Sequence, residues 1–172
     1  MLWIVWIGSL VVFELGERRE LIVGQPYVDE ELQFAIPIVG TGWAVIEGGR
    51  FADTDAVVEL SGPAQTRLYV YDYDAETADS VIDYRLTEYE DDPTFRLREC
   101  EDRRRIASDG RTVIATLICE GNLLGTPAVL GVSVLEGEDR VLELTGDAAA
   151  AKSSYPRLRD VIVRMMKGFD RP

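Results

Sequence analysis

The stretch DGRTVIATLICEGNLLGTPAVLGVSVLEGEDRVLELTG, residues 109–146, decides the fold. Asp109-Gly110 is a strong turn dipeptide. Residues 112–119 are apolar and rich in β-branched side chains, which predicts a core strand. The Gly-containing segment 120–126 reads as a loop. Residues 128–135 and 140–145 are two further β-prone runs joined by the polar turn 136–139. The expectation is an antiparallel meander.

Working outward, residues 95–100 predict a strand before the meander and 106–108 a shorter one. Arg103, Arg104 and Arg105 precede the Asp109-Gly110 turn. They read as charge balance for Glu99, Glu101 and Asp102, with a grip on an acidic partner or phosphate as the alternative. After the meander, 146–154 is a connector with a helical turn near 148–151. The closing helix spans 155–167, with Pro156 near its first position. Leu158, Val161, Ile162, Met165 and Met166 give it one apolar face. Gly168 stops it, and Phe169 is placed to fold back onto the core.

Upstream, residues 67–73 (RLYVYDY) alternate as a strand does. A helix follows, with Asp74 as the expected cap and Ala78, Val81, Ile82 and Leu86 as its apolar stripe. It ends before Pro93. Residues 57–60 form a short strand, and Leu32, Phe34 and Ile36 mark another. Pro37 and the Gly40-Thr41-Gly42 turn lead to a return strand at 43–47, which predicts a hairpin. The sum is about six or seven strands and two helices. The fold class is α+β, a mainly antiparallel sheet with helices packed on it.

The first 24 residues stand apart from the domain at 25–172, with Gly24-Gln25-Pro26 as the break. From Leu2 to Leu15 the only charge is Glu14. The run is short for a membrane span, which needs roughly 20 apolar residues. It suits an export signal or a membrane tether, although no basic residue precedes it and no small-residue cleavage site follows. The other reading is a hairpin, with 10–15 and 20–23 flanking a turn at 16–19.

Composition narrows the function. The formal net charge of −13 argues against nucleic acid, because such binding gains from neutralising phosphates with basic side chains. It argues equally against an anionic lipid surface. There is no His, which removes the Ser-His-Asp and Cys-His pairs and every His-bearing zinc site. Cys100 and Cys119 are the only cysteines, each at the end of an expected strand. They are either a disulfide in an oxidising compartment or two buried thiols in a cytosolic core. The acidic clusters 72–76, 88–92 and 136–139 read as solvated turns. The first departs from a calcium loop because Thr77 stands where Gly is needed. Tyr69, Tyr71 and Tyr73 share one strand face. They either pack under a helix or form an amphipathic strip for an unknown protein partner.

Three segments carry a resemblance. YVDEELQFAIPIVGTGW at 27–43 resembles the opening of Mog1/PsbP/DcrB-like domains. The meander resembles their central strands, and YPRLRDVIVRMMKGF at 155–169 their closing helix. The likeness covers about residues 27–169. It implies a sandwich of helices on a sheet and a binding or assembly role without catalysis. Such domains include photosystem II extrinsic subunits, a Ran-GTPase-binding protein and bacterial envelope lipoproteins. It therefore implies an extracytoplasmic or membrane-tethered location, with a cytoplasmic binding protein of the same fold as the alternative. A carboxylate-dependent hydrolase is a second alternative. No catalytic, metal or cofactor residue carries over, and this chain has no lipid-box Cys in the opening run.

Overall fold

The computed structural model describes residues 17–47, 53, 55–74 and 76–172. Among them the first strands are β1 (Glu17–Glu20), β2 (Pro26–Asp29), β3 (Phe34–Pro37), β4 (Ala44–Glu47), β5 (Val58–Ser61) and β6 (Arg67–Tyr73). Helix α1 (Ala78–Asp91) follows. Then come β7 (Phe95–Ile106), β8 (Val113–Leu123), β9 (Thr126–Glu136), β10 (Val141–Ala149) and helix α2 (Tyr155–Lys167). Eight strands form one sheet in the order β1-β4-β5-β6-β10-β9-β8-β7, and β2 and β3 form a separate ribbon. Every pairing is antiparallel.

The meander is longer than its apolar runs. The expected loop at 120–126 is strand up to Leu123, and the turn is only Leu124-Gly125, both at positive φ. Those two residues have the left-handed backbone that a tight two-residue hairpin requires. Strand β7 is continuous from Phe95 to Ile106 and takes in the arginine run, with an irregularity between Leu97 and Glu99. It lies at the sheet edge, where one side of the backbone and most side chains face water, so charged residues are tolerated there. Likewise, β10 runs on to Ala149, through the expected helical turn.

The sheet has two buried faces. On one, α2 lays Ile162, Met165 and Met166 against Ile114, Ile118, Val129, Leu135 and Leu144. Gly131 makes this approach close, since a Cβ there would sit 2.8 Å from Met166 Cγ. Phe169 folds back and meets Phe34 edge-on, with ring centroids 5.5 Å apart. Full burial of each such side chain stabilises by roughly 1.5–3 kcal/mol. On the other face, α1 packs Ala78, Val81 and Ile82 over Ala115, Leu117, Val132 and Val134.

Helix α1 has a thinner apolar contact and starts later than expected. Its cap is Thr77, not Asp74. The Thr77 hydroxyl accepts from the Ser80 N–H and the Ser80 hydroxyl accepts from the Thr77 N–H. The reciprocal pair satisfies two donors that Asp74 is too far upstream to reach. The Glu136 carboxylate adds an acceptor for the Ala78 N–H at 2.7 Å, a favourable charge for a helix N-terminus.

The N-terminal half corrects two expectations. Strands β3 and β4 are not a hairpin: β3 pairs with β2, and β4 pairs with β1 and β5. The positive φ values of Gly40 and Gly42 turn the chain from the ribbon into the main sheet. Residues 17–19, expected as a turn, belong to β1, which pairs Glu17–Glu20 with β4. All four β1 side chains are exposed, so the outer edge carries no apolar signal. The expected strand at 10–15 and the run from Leu2 to Leu15 lie outside the described residues.

Candidate binding groove

Helix α1 covers β7, β8 and β9, and leaves the same face of β5 and β6 without helical cover among the described residues. Along its border runs a groove of about 650 Å³, lined by Tyr71 and Tyr73 of β6, Tyr84, Arg85 and Glu88 of α1, and Asp53. Period-two geometry puts Tyr69, Tyr71 and Tyr73 on this face. Their ring centroids are 6.4 and 6.3 Å apart in succession. Tyr71 is buried, whereas Tyr69 and Tyr73 are half-buried. The tyrosines thus form a ladder beside the helix, one end of which runs out from under it.

The β6–β10 register puts Tyr71 opposite Glu143. Glu143 is fully buried, and two side chains hold its carboxylate through three hydrogen bonds. Tyr73 Oη donates to Oε2 at 2.7 Å, Arg85 Nε to Oε1 at 2.7 Å, and a second Arg85 nitrogen to Oε2 at 3.2 Å. Arg85 also donates to Glu88 at 2.7 Å. Its guanidinium lies over the rings of Tyr71 and Tyr84, 5.4 Å from each centroid. Tyr71 Oη donates to Asp53 Oδ2 at 2.8 Å.

These contacts fix the protonation states. Burial works against the Arg85 cation, but hydrogen bonds and charge from Glu143, then Glu88, outweigh it and raise its pKa. Burial, and then Asp53, pushes the Tyr71 phenol up. Burial, and then the Glu143 charge, does the same for Tyr73. The Asp55 N–H and the Tyr71 hydroxyl hold Asp53 below the usual carboxylate range. The groove therefore presents the neutral phenols of Tyr71 and Tyr73, an ionised Asp53 and an ion-paired guanidinium at neutral pH, a set suited to recognition rather than proton transfer.

Sequence reasoning missed Arg85, Glu143 and Asp53. One signal existed: in RVLELT, alternation puts Glu143 at the centre of a strand, where a buried carboxylate requires a cation. The other named residues lie elsewhere. Cys100 and Cys119 form a disulfide across β7 and β8, with the Cα atoms 4.1 Å apart. Cys119 is buried beneath α1 and Cys100 is exposed. The arginine run pairs locally and across: Arg103 with Glu101, Arg104 with Asp79 and Asp102, Arg105 with Asp170. Among the described residues no group of three or more Cys, Asp and Glu is placed to hold a metal ion. No described helix is long and apolar enough to cross a membrane.

No protein-family model matches the sequence, and no curated protein matches it. Solved structures do. The chain is similar to the cyanobacterial PsbP (CyanoP) of Synechocystis sp. PCC 6803 over 86% of its own length and 92% of that chain, at 16% identity and a TM-score of 0.57. The fold is that of PsbP. The chain is also similar to LpqN, involved in cell envelope biogenesis of Mycobacterium tuberculosis. That likeness covers 86% of this chain and 90% of the other, at 12% identity and a TM-score of 0.53. The resemblance read from the sequence thus holds at the level of the PsbP-like fold.

Proposed function

We propose that this chain is a non-catalytic binding or assembly domain that engages a protein partner at the cell envelope through the tyrosine groove. The observation that carries the reading is the ladder of Tyr69, Tyr71 and Tyr73 beside the buried Arg85–Glu143 pair. Tyrosines supply large amphipathic contact area, and a rigid charge pair holds them in place. The envelope assignment is supported by the disulfide, which persists in oxidising compartments, and by the involvement of LpqN in cell envelope biogenesis. The carboxylate-hydrolase alternative needs an acid with a raised pKa in the groove, and the depressed Asp53 speaks against it.

The test is site-specific photo-crosslinking in the native host. A photoreactive residue replaces Tyr84 on the groove rim, or Asp160 on the opposite face as a control. The expected result is a discrete crosslinked protein in the envelope fraction from position 84 alone. Equal crosslinking from both positions, or none from 84, rejects the groove as the working surface.

A further inference from the structure

Resting on that reading, we infer that the groove receives an extended partner segment bearing arginine or lysine side chains. The groove already shows how it holds a guanidinium. Arg85 lies over two tyrosine rings and is gripped by two carboxylates. Those bonds engage all three nitrogens of Arg85, so it offers little to an anion. Beyond it the described lining continues outward with carboxylates. Among the described residues the groove is lined by the carboxylates of Asp53, Asp55, Asp72, Glu76 and Glu88, with Arg85 in the lining and Arg140 reaching Asp72 at 3.7 Å. Tyr84, whose ring already takes the Arg85 guanidinium, is 61% exposed at its rim. The charge of the whole chain, −13, draws such a segment in from a distance.

Spacing adds to charge. The tyrosine rings repeat every 6.3–6.4 Å along β6. An extended chain places alternate side chains on one face about 6.6 Å apart. The interval of such a chain therefore matches the ladder, in which Arg85 is already seated over Tyr71 and the exposed carboxylates beyond it are left for the partner's cations.

The test is binding of a fluorescent decapeptide of alternating arginine and serine to the full chain, read by anisotropy at low and at physiological salt. A glutamate–serine decapeptide is the reference. Asp55→Asn/Glu76→Gln/Tyr84→Ala changes the groove at exposed positions, and Glu30→Gln/Asp160→Asn removes the same charge elsewhere. The expected result is saturable binding of the basic peptide only. It weakens by about tenfold in the groove variant and less than about twofold in the control variant. Equal losses in both variants would reduce the effect to diffuse charge and overturn the inference. Absence of binding to the unaltered chain, or comparable binding of the acidic peptide, also overturns it. The two readings fail separately. If position 84 crosslinks a partner whose contacting peptide lacks basic residues, the binding function stands and the basic segment falls.

Discussion

At the scale of single residues, Glu143 and Asp109 show two kinds of held carboxylate. Glu143 is buried and needs Arg85, so Glu143→Leu leaves a cation in a site built for a pair. The expected cost is about 3–5 kcal/mol, measured by denaturant unfolding. Pairing it with Arg85→Met is expected to restore most of that loss. If the double variant is as unstable as the single one, packing rather than charge is the cause. Asp109 is a surface case. The Thr112 hydroxyl, and then the N–H groups of Arg111 and Thr112, hold its pKa down to about 2 from 3.8. A depressed carboxylate favours the folded state above its unfolded pKa, and that contribution drains away as pH falls from 3.8 to about 2. Asp109→Asn is expected to flatten the fall in melting temperature over this window. An unchanged slope would assign the acid sensitivity to other groups. The tyrosine ladder was legible because alternation in RLYVYDY fixes its face. Arg85 was not, because its partner lies 58 residues away and only the docking of α1 on the sheet brings them together.

At the scale of elements, the meander and α2 were readable from period and composition alone. The errors cluster where polar residues are structural. Glu120, Gly121 and Asn122 read as loop, yet they continue β8. Glu120 is held there by Tyr155 at 2.9 Å and by Arg159 at 2.6 Å. The arginines of β7 look like a break between two short strands, although an edge strand with one paired side accepts them. The disulfide is what ties this edge to the sheet at mid-length. Its cysteines are 19 residues apart in sequence. Cys100→Ser/Cys119→Ser is expected to cost about 3 kcal/mol through the loop entropy it returns to the unfolded chain. Amide exchange should then rise along β7 ahead of β9. Uniform acceleration over the whole sheet would mean that β7 is not an independent unit.

For the whole molecule, charge acts in a way that no single contact reveals. A net −13 spread over one domain repels itself, and salt screens that repulsion. Raising sodium chloride from about 20 to about 500 mM is expected to raise the melting temperature by roughly 3 °C. A fall instead would mean that the attractive pairs outweigh the repulsion.

Strand order also implies a sequence of events in time. Strands β7 to β10 are neighbours both along the chain and in the sheet, so each can zip onto the last with a short loop to close. Strand β6 must find β10 across the whole of that segment, with Tyr73 and Glu143 separated by 70 residues. The consecutive hairpins therefore form the folding nucleus, and β4 to β6 condense afterwards onto its exposed β10 edge. Truncating Leu135 to Ala should slow refolding, while truncating Leu60 to Ala should chiefly speed unfolding. The Tyr73–Glu143 hydrogen bond in the groove joins the two halves, so the binding face is among the last features of the molecule to be completed.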